Sequence, residues 1–339
     1  MVWRFRSAGG VLGVQGSGAW VEDGRLVVVK DEERLLDVPI GLVARIVCFG
    51  AVGVSAGLRN WALSAGIELV FCSHRGRYLG QTISGPAVRA SRLRRQLHVA
   101  QDPARSLPPA RAMVAAKLRK QFVLLRRTMR GESAEELGAA ISAIESYVAM
   151  LPQATSRDEL MGLEGAAARA YFQSWRAFLP GDLGFTGRNR RPPRDVVNAA
   201  LSFGYALLVS ETTSALVAAG MEPSVGLLHA EDGDRPSLVL DLAEEFRPLV
   251  VDQLVLEAFR RRRLTAEHGR RDTERDGVLL TKAGRQAVLD GYERRMLQTT
   301  KGALPDFSGS LRRHLYRQAQ NIAGYVEGTV AELTGLSWR

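Results

Sequence analysis

Hydrophobic periodicity changes once along this 339-residue chain, near residue 85, and that change constrains the fold more than any other feature. Before it, short apolar runs alternate with turn residues, which is the pattern of strands. Leu26–Val29 and Leu35–Ile40, separated by Asp31-Glu-Glu33, read as a hairpin. Arg45–Phe49, Ile67–Cys72 and Arg77–Ile83 read as further strands. Ser55–Ala65 reads as one short helix, with Ser55 as its N-cap and Gly66 just past its end. After residue 85 the spacing turns helical, near 87–100, 108–130, 133–150, 156–178, 195–219, 237–263, 282–300 and 308–333. Ser156-Arg-Asp-Glu159 reads as a capping box, and the paired Pro192 and Pro193 make 188–194 a loop. Pro248 must kink its helix or start a new one. The predicted fold class is therefore α+β, a small N-terminal β-rich domain (1–84) followed by a larger all-helical domain (85–339).

Composition excludes several classes. An apolar fraction of 46% and a charged fraction of 24% are ordinary for a folded chain, so neither global disorder nor a fibre is expected. No run of about 18 apolar residues is apparent, so no membrane-spanning helix is expected. Met1-Val-Trp-Arg-Phe-Arg6 lacks the apolar stretch and cleavage site of a secretory signal. Two cysteines, Cys48 and Cys72, are too few for a disulfide framework or for a four-cysteine zinc or iron–sulfur site. A reducing, cytoplasmic setting is the expectation, with no membrane partner.

The charge is concentrated. Lys and Arg number 46 against 36 Asp and Glu, for a net charge of +10, and only five of the cations are lysines. Twelve of them fall between Gly85 and Arg130, against a single acid, Asp102, so the rest of the chain is close to neutral. Such a block reads as the electrostatic footprint of a polyanion, and the plainer reading is a solvated arginine-rich face. Phe122 alone interrupts the block as an aromatic, which disfavours base stacking and favours contacts to duplex phosphates. Arg89, Arg92, Arg95, Arg119 and Lys120 are the candidate DNA contacts.

Three places put an acid or a histidine where an apolar residue belongs. Glu164 lies on the stripe Leu160, Glu164, Ala168 and Tyr171, with Leu163, Ala167 and Ala170 beside it. A carboxylate there is heavily desolvated unless it is paired, protonated or bound to a cation. The plainer reading is a partner arginine from elsewhere. His229 ends the apolar stretch Gly226-Leu-Leu-His229, where a lone histidine is usually packed or hydrogen-bonded. Asp241 and Glu244 stand at i,i+3 on one helix face, with Glu245 turned towards solvent and Arg247 able to neutralise the patch. One histidine with two or three carboxylates is an oxygen-rich ligand set that suits Mg2+ or Mn2+, with imidazole tilting it towards Mn2+. Beside a basic surface, such an ion could polarise a phosphodiester and activate an attacking hydroxyl.

At these residues the sequence resembles the CRISPR-associated spacer-acquisition endonuclease/integrase family, the first-numbered Cas proteins, over nearly the whole chain. The resemblance is carried by Leu163-Glu-Gly-Ala-Ala-Ala-Arg-Ala-Tyr-Phe172 and by Arg191-Pro-Pro193 leading into Asn198–Leu208. Gly220–His229 and Ser237–Pro248 complete it, in order behind a small β domain. It implies a metal site of Glu164, His229 and Glu244, with Asp241 close by and assisting, and Tyr205 and Arg247 supporting. The family carries Asp or Glu at the position of Glu244. Its usual Asp-Pro-Val-Asn reads Asp195-Val-Val-Asn198 here, which loses a helix-start proline but no candidate ligand.

The resemblance also implies a homodimer formed largely through the β domains, two of which bracket a dimer of the small second-numbered Cas protein. The implied reaction is metal-dependent transesterification, in which the 3′-hydroxyl of a double-stranded spacer fragment attacks the edge of a CRISPR repeat. DNA cleavage is the same chemistry with water attacking. Whether an iron–sulfur Cas nuclease trims fragments for it is left open, and two cysteines cannot carry that cluster in this chain. The alternatives are a non-catalytic DNA-binding assembly subunit and a stand-alone metal-dependent DNA nuclease.

Overall fold

Alternating apolar runs build two sheets in the first part of the chain. The computed structural model describes residues 2–4, 8–73, 78–84, 90–128, 134–229, 235–273 and 276–338, and divides into two units, Met1–Ala87 and Val88–Arg339. In the first unit the order is β1 (Val2–Arg4), β2 (Ala8–Leu12), β3 (Ser17–Glu22), β4 (Arg25–Lys30), β5 (Glu33–Pro39), β6 (Val43–Phe49), β7 (Val52–Val54), α1 (Ala56–Ala65), β8 (Glu68–Cys72) and β9 (Tyr78–Gln81). One sheet runs β1-β2-β6-β8-β9 and the other β5-β4-β3-β7. The expected hairpin is β4 paired antiparallel with β5, and it turns through Asp31 and Glu32, both at positive φ. The Ser55 hydroxyl accepts the Leu58 N–H at 3.1 Å to start α1, and Gly66 ends it at φ +68°. Leu12, Leu26, Val28, Ile46, Leu58 and Leu69 are fully buried in one core shared by both sheets and α1. Cys48 and Cys72 are buried inside this unit, and burial pushes the Cys48 thiol up to about 12.

The second unit is mostly helical: α2 (Ala90–Gln101), α3 (Pro103–Thr128), α4 (Ala134–Met150), α5 (Arg157–Ser174), α6 (Val196–Ala218), α7 (Ser237–Arg247) and α8 (Gln253–Arg260). Then come β10 (Gly269–Asp272), β11 (Gly277–Leu280), α9 (Lys282–Met296), β12 (Thr299–Leu304), β13 (Phe307–Ser310) and α10 (Leu311–Glu327). The expectation of an all-helical second part is corrected by two antiparallel hairpins, β10/β11 and β12/β13. Helical spacing predicted for 282–300 and 308–333 overruns both sides of the second hairpin, whose turn carries Asp306 at φ +52°.

Three local features depart from simple rules for physical reasons. Pro108 and Pro109 lie inside α3 although neither can donate an i→i−4 bond. The Tyr325 hydroxyl donates at 2.6 Å to the Arg105 carbonyl, which Pro109 leaves unpaired. Ser156 caps α5 by accepting the Glu159 N–H at 3.2 Å, but the Glu159 carboxylate reaches back one residue further, to the Thr155 N–H at 2.6 Å. At Pro248 the helix does both things expected of it: α7 ends at Arg247, one wide π turn spans Pro248–Asp252, and α8 continues beyond.

α6 is long and apolar enough to cross a membrane by length and composition, with a mean hydropathy of 1.3 over its most apolar window. However, 72% of that window is buried inside the protein, so α6 is the central helix of this unit. Gly204 lets it pass close to the π turn, because a Cβ there would stand 2.6 Å from a Val251 methyl. Glu245, expected to face solvent, is instead fully buried. It accepts Gln318 Nε2 at 3.1 Å and the Leu336 N–H at 3.0 Å, which ties α7 to α10 and to the segment beyond it.

Candidate active site

Glu164 comes from α5, Glu244 from α7, and a residue outside the expected site joins them. Lys117 of α3 places its ammonium between the two carboxylates, in contact with Glu164 and 2.5 Å from Glu244 Oε2. Glu244 is buried, and its other oxygen takes Arg247 Nη1 at 3.0 Å, one helical turn on. Burial pulls the Lys117 ammonium down, but the carboxylates of Glu244 and then Glu164 more than offset it and hold it above its ordinary value. Burial likewise raises the Glu244 carboxyl, and Arg247 followed by Lys117 brings it well below the usual carboxylate range. The Lys117 ammonium and the Glu244 carboxylate therefore stay charged at neutral pH. The partner foreseen for Glu164 was an arginine, and it is a lysine.

His229 is held by a different acid. Its Nδ1 lies 2.6 Å from Asp241 Oδ1, and its backbone N–H donates to the same oxygen at 3.0 Å. Asp241 Oδ2 accepts the N–H groups of Leu227 and Leu228 at 2.6 and 2.9 Å. Gly226 makes room for this, since a Cβ there would stand 3.0 Å from Asp241 Oδ2 and 2.7 Å from the His229 carbonyl. Asp241 is fully buried with both oxygens engaged, so its geometry is that of an orienting group. With Nδ1 turned to Asp241, the Nε2 edge of the imidazole is the one left for a ligand. His229 is near enough to Glu244 to help lower its carboxyl.

A second layer lies under Arg247. Its guanidinium carbon sits 4.7 Å from the centroid of the Tyr205 ring. The Tyr205 hydroxyl donates to Asp252 Oδ1 at 2.5 Å, and the Tyr171 hydroxyl donates to Oδ2 at 3.0 Å. Burial pushes the Asp252 carboxyl up, with the two phenols acting against it. Arg247 thus meets the acidic centre at Glu244, Tyr205 meets it only through Arg247, and Asp252, held also by Tyr171, braces Tyr205 from below.

The basic block divides between surface and interior. Arg95 and Arg119 are exposed, and so are Arg94, Arg105, Arg126 and Arg127. Arg92 is spent on structure, reaching the Ala219 carbonyl at 2.6 Å and Glu327 at 2.7 Å. Lys120 as a DNA contact is corrected: it is 1% exposed, and its ammonium donates to the Ala116 carbonyl at 3.2 Å. Burial brings that ammonium down to about 8, with Glu245 offsetting part of the effect. Arg89 lies outside the described residues. The misplacement of Lys117 and Lys120 has a signal in the sequence. Both fall on the α3 stripe whose apolar members Met113, Val114, Leu118, Leu124 and Leu125 are buried.

Two carboxylates and an oriented imidazole form a donor set that fits a hard divalent cation. Among the described residues, no three His, Cys, Asp or Glu converge closely enough to cradle an ion as they stand. The acidic pair nevertheless already brackets one cation, the Lys117 ammonium. Buried Glu244 Oε2 gains charge from that pair but no well-directed hydrogen bond. These residues fit the group.

The family model described as CRISPR associated protein Cas1 matches residues 12–294. The chain is 37% identical over 325 residues to CRISPR-associated endonuclease Cas1 1 of Thermus thermophilus, covering 96% of this chain and 98% of that one. It is 33% identical over 327 residues to a CRISPR-associated exonuclease Cas4/endonuclease Cas1 fusion of Geobacter sulfurreducens, covering 94% of this chain and 58% of the fusion. Its fold is similar to that of a casposase bound to integration product, with a TM-score of 0.81 at 19% identity over 96% of this chain and 92% of that one. It is also similar to a chain of a Cas6-RT-Cas1–Cas2 complex, with a TM-score of 0.82 at 24% identity over 99% of this chain and 37% of that one. A match across most of the sequence, together with a near full-length relative above one-third identity, means that this chain belongs to the CRISPR-associated protein Cas1 family.

Proposed function

We propose that this protein joins DNA ends to a CRISPR repeat by divalent-metal-dependent transesterification, with Glu164, His229 and Glu244 as the metal ligands. The observation that carries the reading is the meeting of Glu164 and Glu244, from separate helices, on one shared cation beside an imidazole oriented by a buried aspartate. The bound ion would supply Lewis-acid polarisation of the scissile phosphate and stabilise charge on the leaving oxygen. Glu164 and Glu244 provide the negative charge that retains it. Asp241 holds the imidazole in one orientation and keeps its proton on Nδ1. Arg247, tied to Glu244 and stacked on Tyr205, fixes the Glu244 carboxylate and adds positive charge for a phosphate oxygen.

In this reading the 3′-hydroxyl of a double-stranded spacer fragment attacks the phosphodiester at the repeat edge, its oxygen bonds to the phosphate at the repeat's 5′ end, and the 3′-oxygen of the flanking strand leaves. The exposed arginines of α2 and α3, Arg95 and Arg119 among them, grip the duplex through its phosphates. A homodimer working with the small second-numbered Cas protein is the assembly that the family relationship supports. The fusion of an exonuclease to a relative favours a nuclease partner that prepares the fragment ends.

The test is half-site joining of a fragment with free 3′-ends to a supercoiled plasmid carrying a repeat, with the small partner present. Joining in Mn2+ that is lost in EDTA and in His229→Ala supports the reading. Cutting without joining would favour the stand-alone nuclease. Binding with neither would favour the assembly subunit.

A further inference from the structure

Arg188 is set into the loop before α6 with its charge unmatched. Nη1 donates to Asn198 Oδ1 at 2.8 Å and also to the Asn189 carbonyl, and Nη2 donates to the Ser202 hydroxyl at 3.2 Å. All three acceptors are neutral, and among the described residues no carboxylate lies within ion-pair distance of this guanidinium. Asn198 is itself fixed. It accepts the Asn189 N–H at 3.0 Å and donates to the Gly187 carbonyl at 2.9 Å and to Asp195 Oδ2 at 2.6 Å. The loop is thus braced to the start of α6, and the guanidinium is held in one place.

That place adjoins the acidic centre. The Arg188 guanidinium carbon is 5.4 Å from the centroid of the Tyr205 ring, the same ring that carries Arg247. Arg190 follows two residues on, exposed, and adds like charge. Burial draws the Arg188 guanidinium below its ordinary value, with Arg190 and Arg247 adding to it and Tyr205 and Asp252 acting against it. Arg247 has Glu244 at 3.0 Å, whereas Arg188 has no carboxylate at ion-pair distance among the described residues, so an anion beside it would be favourable. An arginine has five N–H donors, and three are engaged here, which leaves Nε–H and one Nη2–H. A guanidinium grips a pair of phosphate oxygens with two parallel N–H bonds of this kind.

We infer that Arg188 is a phosphate-positioning residue, which uses its remaining N–H donors to hold a DNA backbone phosphate next to the one undergoing reaction at the carboxylate centre. The inference rests on the DNA-joining reading above, and adds the residue that fixes the register of the strand in the site. Exposed surface arginines supply diffuse attraction. Arg188, braced by Asn198, Ser202 and Tyr205, supplies a fixed point.

The test uses the full chain and fluorescence anisotropy of a labelled duplex with a free 3′-overhang, in EDTA, across a salt series. Arg188→Gln keeps an N–H donor for the Asn198 and Ser202 side chains but removes the charge. Its affinity is expected to fall about tenfold, and the slope of log affinity against log salt to become shallower by about 0.9, the loss of one phosphate contact. Arg188→Lys is expected to keep the wild-type slope while its joining kcat in Mn2+ falls about tenfold with KM little changed, because a point charge cannot reproduce the fork. Wild-type affinity and slope in Arg188→Gln would overturn the assignment, as would wild-type joining by Arg188→Lys. If Arg188→Gln melts early, the lysine variant decides: equal loss of melting temperature in both, with the slope unchanged, makes Arg188 a loop tether only. A wild-type protein that binds no DNA would bring down the DNA-joining reading as well.

Discussion

Lys117 Nζ lies 2.5 Å from Glu244 Oε2 and touches Glu164 on its other side, so one ammonium from α3 holds together carboxylates from α5 and α7. Without it, two acids would face each other in a largely buried space. Lys117→Met is therefore expected to lose about 3–5 kcal/mol of stability in EDTA, the usual result of removing one partner of a buried ion pair. Mn2+ should raise the melting temperature of this variant more than that of the wild type, since a divalent ion can replace the missing charge. Thermal melts with and without Mn2+ measure both effects. An Lys117→Met protein that melts at the wild-type temperature in EDTA would show that the pair contributes no stability.

Asp241 offers a sharper separation between holding the fold and tuning the site. Three backbone N–H groups and the His229 ring converge on its two oxygens. Asp241→Asn replaces one acceptor oxygen by an amide NH2, so at least one buried donor is left without a partner, at about 1–3 kcal/mol. The imidazole also loses the partner that fixes its orientation. Mn2+ affinity by titration calorimetry should fall about 10- to 100-fold, the range found for groups that orient a metal-bound histidine. His229→Ala should lose that affinity with a smaller loss in melting temperature. Unchanged Mn2+ affinity in Asp241→Asn would dissociate Asp241 from the site.

How much of this was legible in the sequence depends on whether the signal was periodic. The β4/β5 hairpin and α1 were readable because alternation, turn residues and caps agreed locally. Glu164, His229 and Glu244 stood out as polar residues on apolar faces, and the structure puts Glu164 and Glu244 on one lysine and His229 on Asp241. Lys117 and Lys120 were counted as surface charge because a basic block hides two residues on its buried stripe, and only the α3 burial pattern separates them. Glu245 was placed in solvent for a related reason. Its neighbours in sequence leave it no partner, and its real partners, Gln318 and Leu336, are far along the chain. The β12/β13 hairpin was missed because its strands are four to six residues long and abut helices on both sides.

Tyr205 and Asp252 give a third prediction. The 2.5 Å bond between them lies under the Arg247 guanidinium, so it sets the height of the ring on which Arg247 rests. Tyr205→Phe keeps that ring but removes the donor to Asp252 Oδ1. The expected loss is about 1–3 kcal/mol, from a buried carboxylate oxygen left unsatisfied. Joining should be reduced much less than in Glu244→Gln, because Arg247 still has a ring to stack on and Glu244 to pair with. Urea unfolding and the joining assay, run on the same preparations, measure the two effects. Loss of joining equal to that of Glu244→Gln would mean that the hydroxyl itself acts in the reaction.

Lys120 predicts an unusual pH dependence. Burial holds its folded-state ammonium at about 8, against an ordinary 10.5. Below pH 8 both states carry the proton, and the fold bears the full penalty of a buried charge. Between pH 8 and 10.5 the folded protein has released the proton while the unfolded chain still binds it, so this group makes stability rise with pH. A difference of that size corresponds to roughly 3 kcal/mol at about 1.4 kcal/mol per unit. Lys120→Met removes the penalty at every pH, so its advantage over the wild type should be largest at pH 7 and should shrink as pH approaches 10. Glu245 keeps its bonds from Gln318 and Leu336 in the variant, which limits the disturbance to one side of its carboxylate. Urea midpoints of both proteins at pH 7 and pH 10 decide the matter. A constant difference between them would mean that Lys120 stays protonated in the fold and that Glu245 fully compensates its burial.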